Sequence, residues 1–321
     1  MRDHGGNLDA ARLRYGGSDW IDLSTGINRA PYPLPSISHE AWASLPQRTQ
    51  VVRLCEQARA TYAVAEQADI LPVAGAQAAI QMLPHVLPRG RAHIYGPTYN
   101  EHSAALSAAG WDVRTVTSLS DVEGADLGVI VNPNNPSGEV FQPETLLALR
   151  ANVGALIVDE SFADPQPDLS LAPYAGEAGL LILRSFGKFY GLAGLRLGFI
   201  IGAPDQVAAL RDMAGPWPVC GPALEIGRTA LGDRDWAKVT IARLREECGV
   251  IDAIARQAGW TMIGGCELFR LYSCENAQAA QDKLARASIW SRIFPWSDEL
   301  IRLGLPSGDV EWGRLRAAME G

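Results

Sequence analysis

The sequence predicts an α/β fold with a mostly parallel central sheet in a large domain, followed by a smaller α+β domain. Four short runs, at residues 127–131, 155–158, 180–183 and 197–201, are apolar throughout, and polar or turn-forming residues follow each of them. Such runs are typical of strands buried on both faces, as in a parallel sheet covered by helices. Segments with apolar residues at helical spacing lie between and after the runs, as this fold requires.

The remaining elements of the large domain are predicted from weaker patterns of apolar and β-branched residues. Apolar residues at helical spacing predict a helix over 76–87, and Pro88 and Gly90 then end it. Further predicted elements are a strand at 91–95, a helix at 103–109, a β-branched strand at 111–117, and helices at 144–151 and 205–214.

A second domain is predicted after the segment Ala214-Gly-Pro-Trp-Pro218, where the composition changes. The predicted elements beyond it are a long charged helix at 235–257, an alternating strand at 267–272, and helices at 277–287 and 310–319. We therefore predict a large domain over 41–214 and a small domain over 215–321. Residues 1–40 are predicted to pack on the small domain.

Composition restricts the class of protein. The chain has 321 residues, enough for a large core or two domains, and 47% of them are hydrophobic while 20% are charged. A net charge of −8 argues against nucleic acid or an anionic membrane as the main partner. No apolar run approaches a membrane span, and the first residues lack the apolar core of a signal peptide. Five scattered cysteines without metal-ligand spacing predict reduced thiols in the cytoplasm and no metal site.

One lysine stands in a glycine-rich segment, Ser185-Phe-Gly-Lys188-Phe-Tyr-Gly-Leu-Ala-Gly-Leu-Arg196-Leu-Gly. A lysine that forms a Schiff base must lose its proton, although its unperturbed pKa is about 10.4. A hydroxyl and a guanidinium, such as those of Ser185 and Arg196, are donors that a phosphate requires. The segment predicts an anchor for pyridoxal phosphate. A surface lysine in a glycine-rich turn is the alternative for the segment taken alone.

Two polar groups follow apolar strands, where the loops of an α/β sheet bind ligands. Asp159 follows one such strand, and a carboxylate there would keep a pyridine nitrogen protonated. Its alternatives are a helix N-cap or a metal ligand. Asn132-Pro-Asn-Asn135-Pro-Ser-Gly138 follows another strand and would present an amide to a phenolic oxygen. This segment is also typical of a simple turn.

Two further segments complete the pattern. Gly75, Ala76 and Gln77 stand at the start of a predicted helix, where free backbone N–H groups receive phosphates. Tyr99, in Pro97-Thr-Tyr-Asn-Glu-His102, offers an aromatic face that would stack on a flat ring. Taken alone, the tyrosine is equally typical of a core or rim residue.

In this order the motifs resemble those of the fold-type I pyridoxal phosphate enzymes, the aspartate aminotransferase superfamily, from about residue 20 to residue 305. The resemblance implies the three-layer transferase fold of these enzymes. It also implies that Lys188 is the Schiff-base lysine and proton carrier, that Asp159 pairs with the ring nitrogen, and that Asn135 pairs with the phenolate oxygen. Tyr99 is implied to stack on the ring. The residues implied to hold the phosphate are Gly75, Ala76, Gln77, Ser185 and Arg196.

Within this superfamily, residues 3–7, 21–28 and 184–190 are similar to the L-threonine-O-3-phosphate decarboxylases of cobalamin biosynthesis. Phe162 also matches that group, because histidinol-phosphate aminotransferases usually have tyrosine there. The resemblance implies decarboxylation of L-threonine O-3-phosphate to (R)-1-amino-2-propanol O-2-phosphate. The residues implied to bind the substrate's anionic groups are His4, Asn28, Arg292 and Arg302. The alternatives are an aminotransferase and, from another class, a non-catalytic binding domain of the same fold.

One departure bears on assembly. Leu45-Pro-Gln47 replaces a Tyr-Pro-Asp segment that, in relatives, reaches the phosphate site of a neighbouring subunit. The resemblance still implies a homodimer, but this contact is not expected.

Overall fold

The computed structural model describes residues 4–320, so Asp3 of the N-terminal motif lies outside the described residues. The chain forms two compact units. The smaller unit contains the chain up to Pro31, residues 136–138 and the chain from Asp235, and the larger unit contains residues 32–135 and 139–234. These limits differ from the domain limits at 40/41 and 214/215 that the sequence suggested. The assignment of a cofactor-binding large domain over 41–214 and a small domain over 215–321 stays a prediction.

The strands are β1 (Ile21–Asp22), β2 (Asp69–Val73), β3 (Arg91–Tyr95), β4 (Asp112–Val116), β5 (Leu127–Val131), β6 (Ala155–Asp159), β7 (Leu180–Ser185), β8 (Gly198–Gly202), β9 (Thr261–Cys266), β10 (Phe269–Ser273), β11 (Ile289–Trp290), β12 (Arg292–Phe294) and β13 (Ser297–Gly304). The helices are α1 (Leu8–Tyr15), α2 (His39–Ala43), α3 (Arg48–Thr61), α4 (Ala76–Val86), α5 (Asn100–Ala108), α6 (Pro143–Arg150), α7 (Phe186–Phe189), α8 (Pro204–Ala214), α9 (Gly221–Gly232), α10 (Arg234–Gln257), α11 (Ala277–Arg286) and α12 (Gly308–Glu320). Short 3₁₀ turns lie at Pro167–Leu169, Ala172–Tyr174 and Ala193–Leu195.

The larger unit is built on a seven-stranded sheet in the order β2-β8-β7-β6-β5-β3-β4. Neighbouring strands from β7 to β4 are parallel, and β8 runs antiparallel to both β7 and β2. The carboxyl ends of the parallel strands therefore meet at one edge, where β8 begins. The predicted α/β fold with a mainly parallel sheet is confirmed.

Helices cover both faces of this sheet, which explains why its central strands are apolar throughout. On one face, alternate strand residues such as Ile157 and Leu183 pack against α4, α5 and α8. On the other face, the Phe199 ring meets Tyr62, at the end of α3, edge to face. Helix α9 packs against α3, and Gly227 favours this close approach because a Cβ there would lie only 3.2 Å from the Leu54 side chain of α3. The larger unit thus has three layers.

The smaller unit has a four-stranded antiparallel sheet in the order β12-β13-β10-β9 and a parallel pair formed by β1 and β11. Helix α1 begins after Asn7, whose side chain accepts a hydrogen bond from the backbone N–H of Ala10. The rings of Tyr15, Trp20 and Trp290 pack together with centroids about 6 Å apart, and so fix α1 beside β11.

Two properties of residues 4–320 bear on function. None of the described helices combines the length and apolarity needed to cross a membrane. Within the same residues, no cluster of three or more histidine, cysteine or acidic side chains could hold a metal ion.

Candidate active site

The predicted cofactor residues of the larger unit converge at one edge of its sheet. Because β3, β5, β6 and β7 end at this edge and β8 begins there, the adjoining loops bring together residues far apart in sequence. They line a cavity of about 150 Å³. Its lining residues are Ala76, Gln77, Ile80, Tyr99, Val131, Asn135, Asp159, Ser161, Phe162, Ser185, Lys188 and Arg196.

Asp159 presents a buried carboxylate to this cavity. Its Oδ1 accepts hydrogen bonds from the Ser161 hydroxyl at 2.5 Å and the Ser161 backbone N–H at 3.0 Å, and its Oδ2 lies 2.8 Å from Nε2 of His102. Burial acts to raise the pKa of Asp159, but the His102 and Ser161 hydrogen bonds outweigh it, so the pKa is lowered. The carboxyl is therefore anionic at neutral pH and suited to hold a cationic ring nitrogen.

Helix α5 connects this carboxylate to the predicted stacking residue. Tyr99 is the N-cap residue of α5, and His102 lies one turn further along. The Tyr99 hydroxyl donates to Oε1 of Gln77 over 3.2 Å, while Nε2 of Gln77 donates to Glu101 over 2.9 Å. A phosphate would therefore be held by the backbone of Gln77 more readily than by its amide.

An anion cradle lies at the start of α4. Gly75, with φ of +79°, precedes the first helical residue, and a Cβ on it would lie 2.6 Å from Nη2 of Arg196. A Cβ on Gly198 would lie 2.6 Å from the backbone nitrogen of Ala76. Two glycines thus leave room for a guanidinium beside a helix N-terminus, where free N–H groups and the helix dipole favour a phosphate. Ser185, at the end of β7, adds a hydroxyl.

Lys188 lies in the short helix α7 and lines the cavity. Nζ is 5.2 Å from the centroid of the Phe162 ring. A tyrosine at position 162 would add a hydroxyl to this part of the cavity wall, whereas the phenylalanine has no donor. The donor predicted from the sequence for the phenolate oxygen of the cofactor is therefore the amide of Asn135. Asn135 also lines the cavity.

A buried ion cluster lies next to Asp159 in the chain. Arg184 pairs with Glu160 at 2.8 Å and with Asp164 at 3.1 Å, and its guanidinium lies over the Tyr62 ring at 4.2 Å. Glu160 also accepts hydrogen bonds from the Ser170 hydroxyl and the Leu171 N–H, both at 2.6 Å. These contacts fix the residues that immediately follow β6.

The predicted substrate residues belong to the smaller unit. His4 and Arg292 line a cavity of about 590 Å³ together with Ser24. Arg302 is the cross-strand partner of Arg292, and its Nη2 donates to the Ser24 carbonyl over 2.7 Å. Burial and then the charge of Arg292 lower the pKa of Arg302. An anion bound between the two neighbouring guanidinium groups would reduce their electrostatic repulsion.

Asn28 and the glycines of the N-terminal motif have structural contacts of their own. Oδ1 of Asn28 accepts from the Ala30 N–H at 3.1 Å and from Arg243 at 2.8 Å, and Asn28 is not among the residues lining the 590 Å³ cavity. The Gly6 N–H donates to the Ser24 hydroxyl at 2.7 Å, and a Cβ on Gly5 would lie 2.3 Å from the Ser24 carbonyl oxygen. Ser24 therefore fixes the segment that follows His4.

Sequence reasoning missed three residues that shape the two sites: His102, Ser161 and Ser24. The signal for His102 was its spacing of three from Tyr99, which places both on one side of a helix. Ser161 and Ser24 carried no such signal, because a serine near a strand end is common in any turn.

The residues of the larger unit fit pyridoxal phosphate. The cradle that a Cβ would fill matches its phosphate, the buried anionic carboxylate matches its ring nitrogen, and the amine of Lys188 matches its aldehyde. Each contact is a prediction that the fit supports.

Fold and site together define a member of the aminotransferase class I and II family. The chain belongs to this family, whose model matches residues 45–309. Over the whole chain it is 42% identical to the threonine-phosphate decarboxylase of Pseudomonas aeruginosa, covering 98% of that protein. It is also 42% identical to the threonine-phosphate decarboxylase of a Sinorhizobium species, with 99% of this chain and 98% of that protein covered. Among solved structures, the histidinol-phosphate aminotransferase of Sinorhizobium meliloti in complex with pyridoxal-5'-phosphate has a TM-score of 0.84 at 18% identity, covering 100% of this chain and 94% of that chain.

Proposed function

We propose that the protein is a pyridoxal phosphate-dependent decarboxylase that converts L-threonine O-3-phosphate to (R)-1-amino-2-propanol O-2-phosphate in cobalamin biosynthesis. The observation that carries this proposal is the full-length similarity to two threonine-phosphate decarboxylases. The amine, carboxylate and anion cradle of the larger unit supply the groups that such chemistry needs.

The chain's own residues have distinct tasks in this proposal. Asp159 keeps the ring nitrogen protonated, Asn135 donates to the phenolate oxygen, and Tyr99 stacks on the ring. When bound through Lys188, the cofactor supplies an electron-accepting ring for the bond that breaks at the substrate's α-carbon. The backbone at Ala76, with Ser185 and Arg196, holds the cofactor phosphate.

The choice of bond depends on how the substrate is held. In a decarboxylation the bond between the α-carbon and the carboxylate breaks, CO₂ leaves, and a proton adds to the α-carbon. We propose that Nζ of Lys188 carries that proton. Arg302 and Arg292 are proposed to bind the substrate's two anionic groups with His4 and Asn28, since contacts remote from the reacting bond fix its orientation.

Assembly and location are part of the proposal. All five cysteines are free thiols, which is consistent with the reducing cytoplasm. We propose a cytoplasmic homodimer that acts on a small phosphorylated amino acid and has neither nucleic acid nor membrane as a partner.

The test measures two products from one substrate. Protein loaded with pyridoxal phosphate is incubated with carboxyl-labelled L-threonine O-3-phosphate, and released CO₂ and the amine phosphate are quantified. The proposal predicts both products in equal amounts without any keto acid. Amino transfer to a keto acid with no CO₂ release would reject decarboxylation.

The second candidate is an aminotransferase, favoured by the matching family model itself. It predicts that histidinol phosphate or another amino acid passes its amino group to a keto acid. The same assay separates the two functions, because only the decarboxylase releases label from phosphothreonine.

A further inference from the structure

The loops that carry Tyr99 and Asn135 are joined by the residues that precede them. They leave the carboxyl ends of β3 and β5, which are parallel neighbours. The Thr98 hydroxyl donates to Oδ1 of Asn134 over 2.6 Å, and Nδ2 of Asn134 donates to the Pro97 carbonyl over 3.1 Å. The oxygen and the nitrogen of the Asn134 side-chain amide therefore both bond to the loop that carries Tyr99.

The second loop is held separately at its base. Oδ1 of Asn132 accepts from the Phe141 N–H at 2.8 Å, and Nδ2 of Asn132 donates to the Phe141 carbonyl at 2.9 Å. The Asn134 backbone N–H donates to the Glu139 carbonyl at 2.8 Å. Because these bonds already close the loop on itself, the Asn134 side-chain bonds to Thr98 and Pro97 instead set where the loop lies relative to Tyr99.

We propose that Thr98 and Asn134 are positioning residues that fix the spacing of Tyr99 and Asn135 around the cofactor ring. The inference rests on the proposed function, in which Tyr99 stacks on the ring and Asn135 donates to its phenolate oxygen. Thr98 and Asn134 are not among the residues lining the cavity, and Asn134 is only 2% exposed, so they act through their neighbours.

Loss of the hydroxyl has a defined electrostatic consequence. Without the Thr98 hydroxyl, the buried Asn134 amide oxygen lacks this hydrogen-bond donor, and the loop would shift to reduce that cost. The Asn135 amide then donates less well to the phenolate oxygen. With cofactor bound, the same oxygen would also accept a hydrogen bond from the N–H that joins Lys188 to the cofactor. With less donation from Asn135, that hydrogen bond would be stronger and the nitrogen would hold its proton more tightly. The pKa of the lysine–cofactor adduct should therefore rise.

The experiment uses Thr98→Val, which removes the hydroxyl with little change of shape. The pH titration of the visible absorbance band should move upward by about 0.5 in pKa, and the Kd for pyridoxal phosphate should rise about fivefold. Thr98→Ser should restore both values. Thr61→Val is the matched control, because the Thr61 hydroxyl also bonds carbonyls in the larger unit, at Gln57 and Leu231, but does not line the cavity.

The outcomes are separable. A wild-type titration and Kd in Thr98→Val overturn the inference, as does an equal change in Thr61→Val or a failure of Thr98→Ser to restore the values. If Thr98→Val does not fold, Thr98→Ala removes the same hydroxyl without added apolar bulk and is judged by the same criteria. Failure of the proposed function has a different signature, namely wild-type protein that forms no adduct at Lys188.

Discussion

His102 and Asp159 form a buried pair in which Nε2 of the imidazole lies 2.8 Å from Oδ2 of the carboxylate. Both side chains are 3% exposed. A carboxylate only accepts, so Nε2 carries the hydrogen, and the pair orients Asp159 toward the cavity. With Ser161 bonding the other oxygen, the carboxylate is fixed from two sides.

Replacing His102 should weaken cofactor binding without removing the anchor lysine. In His102→Phe the carboxylate loses one charge-assisted donor, and we expect the Kd for pyridoxal phosphate to rise about tenfold. His102→Gln, which keeps an N–H donor, should lie between this variant and the wild type. Fluorescence titration of the apoprotein measures both. An unchanged Kd in His102→Phe would show that the pair does not support the cofactor.

The same pair predicts a pH effect on stability. The folded-state pKa of Asp159 is lowered, so its contribution is fully present above the unfolded-state pKa of about 3.9 and is lost as the pH falls through the folded-state value. In His102→Phe the folded-state pKa rises, so the contribution shrinks. The difference in urea midpoint between variant and wild type should therefore narrow as the pH falls below about 4. A difference that widens with acid would contradict the assignment.

Gly75 should be required for the phosphate cradle for two reasons: its backbone conformation favours glycine, and the space beside it is occupied by the Arg196 guanidinium. In Gly75→Ala the new Cβ would lie 2.6 Å from Nη2 of Arg196, whereas a Cβ on Gly124, which has φ of +74°, would meet nothing within 4 Å. Both alanine variants carry similar backbone strain of about 1 kcal/mol or more. Only Gly75→Ala should also lose at least about tenfold in pyridoxal phosphate affinity, because the guanidinium is displaced. Equal affinity losses in both variants would contradict this geometry.

Arg184 should be essential for stability. Arg184→Met leaves the carboxyls of Glu160 and Asp164 buried without their cation, which should cost about 3–5 kcal/mol of unfolding free energy. Burial already raises the pKa of both acids despite Arg184, and its removal raises them further. An acid with a raised folded-state pKa destabilises the fold as the pH rises toward that pKa. The variant should thus regain part of its stability at about pH 5 relative to pH 7.5. Urea unfolding at both pH values measures this, and equal losses would contradict it.

Arg302 should govern substrate affinity. Arg302→Lys keeps a positive charge but loses the planar, two-pronged contact with a carboxylate, so KM for phosphothreonine should rise at least about tenfold. Arg12→Lys, at an exposed ion pair with Asp9 in the same unit, is the control and should leave KM unchanged. A wild-type KM in Arg302→Lys would remove this residue from the substrate site.

Much of the larger unit could be predicted because burial on both faces leaves a clear apolar signal. The strands at β5, β6, β7 and β8, the family and the cofactor were all predicted from the sequence and are confirmed. The segment of β2 gave no such signal, since it contains Pro72, and a proline in a strand is tolerated at the sheet edge, where β2 lies. The reversed direction of β8 has no local signature either, because apolar runs look the same in both directions.

Other misses have a tertiary origin. Helix α9 contains Gly221 and Gly227, and glycine disfavours a helix in isolation. It forms because these glycines let it approach Ala41 and Leu54 closely. The pairing of His102 with Asp159 likewise joins residues 57 apart in sequence and depends on the sheet order.

The most direct measurement is borohydride reduction of the protein loaded with pyridoxal phosphate, followed by peptide mapping. The account predicts one reduced adduct, on Lys188, together with loss of the visible absorbance, and neither adduct nor visible band in Lys188→Ala. A colourless wild-type protein with no trapped adduct, or an adduct on another lysine, would contradict it.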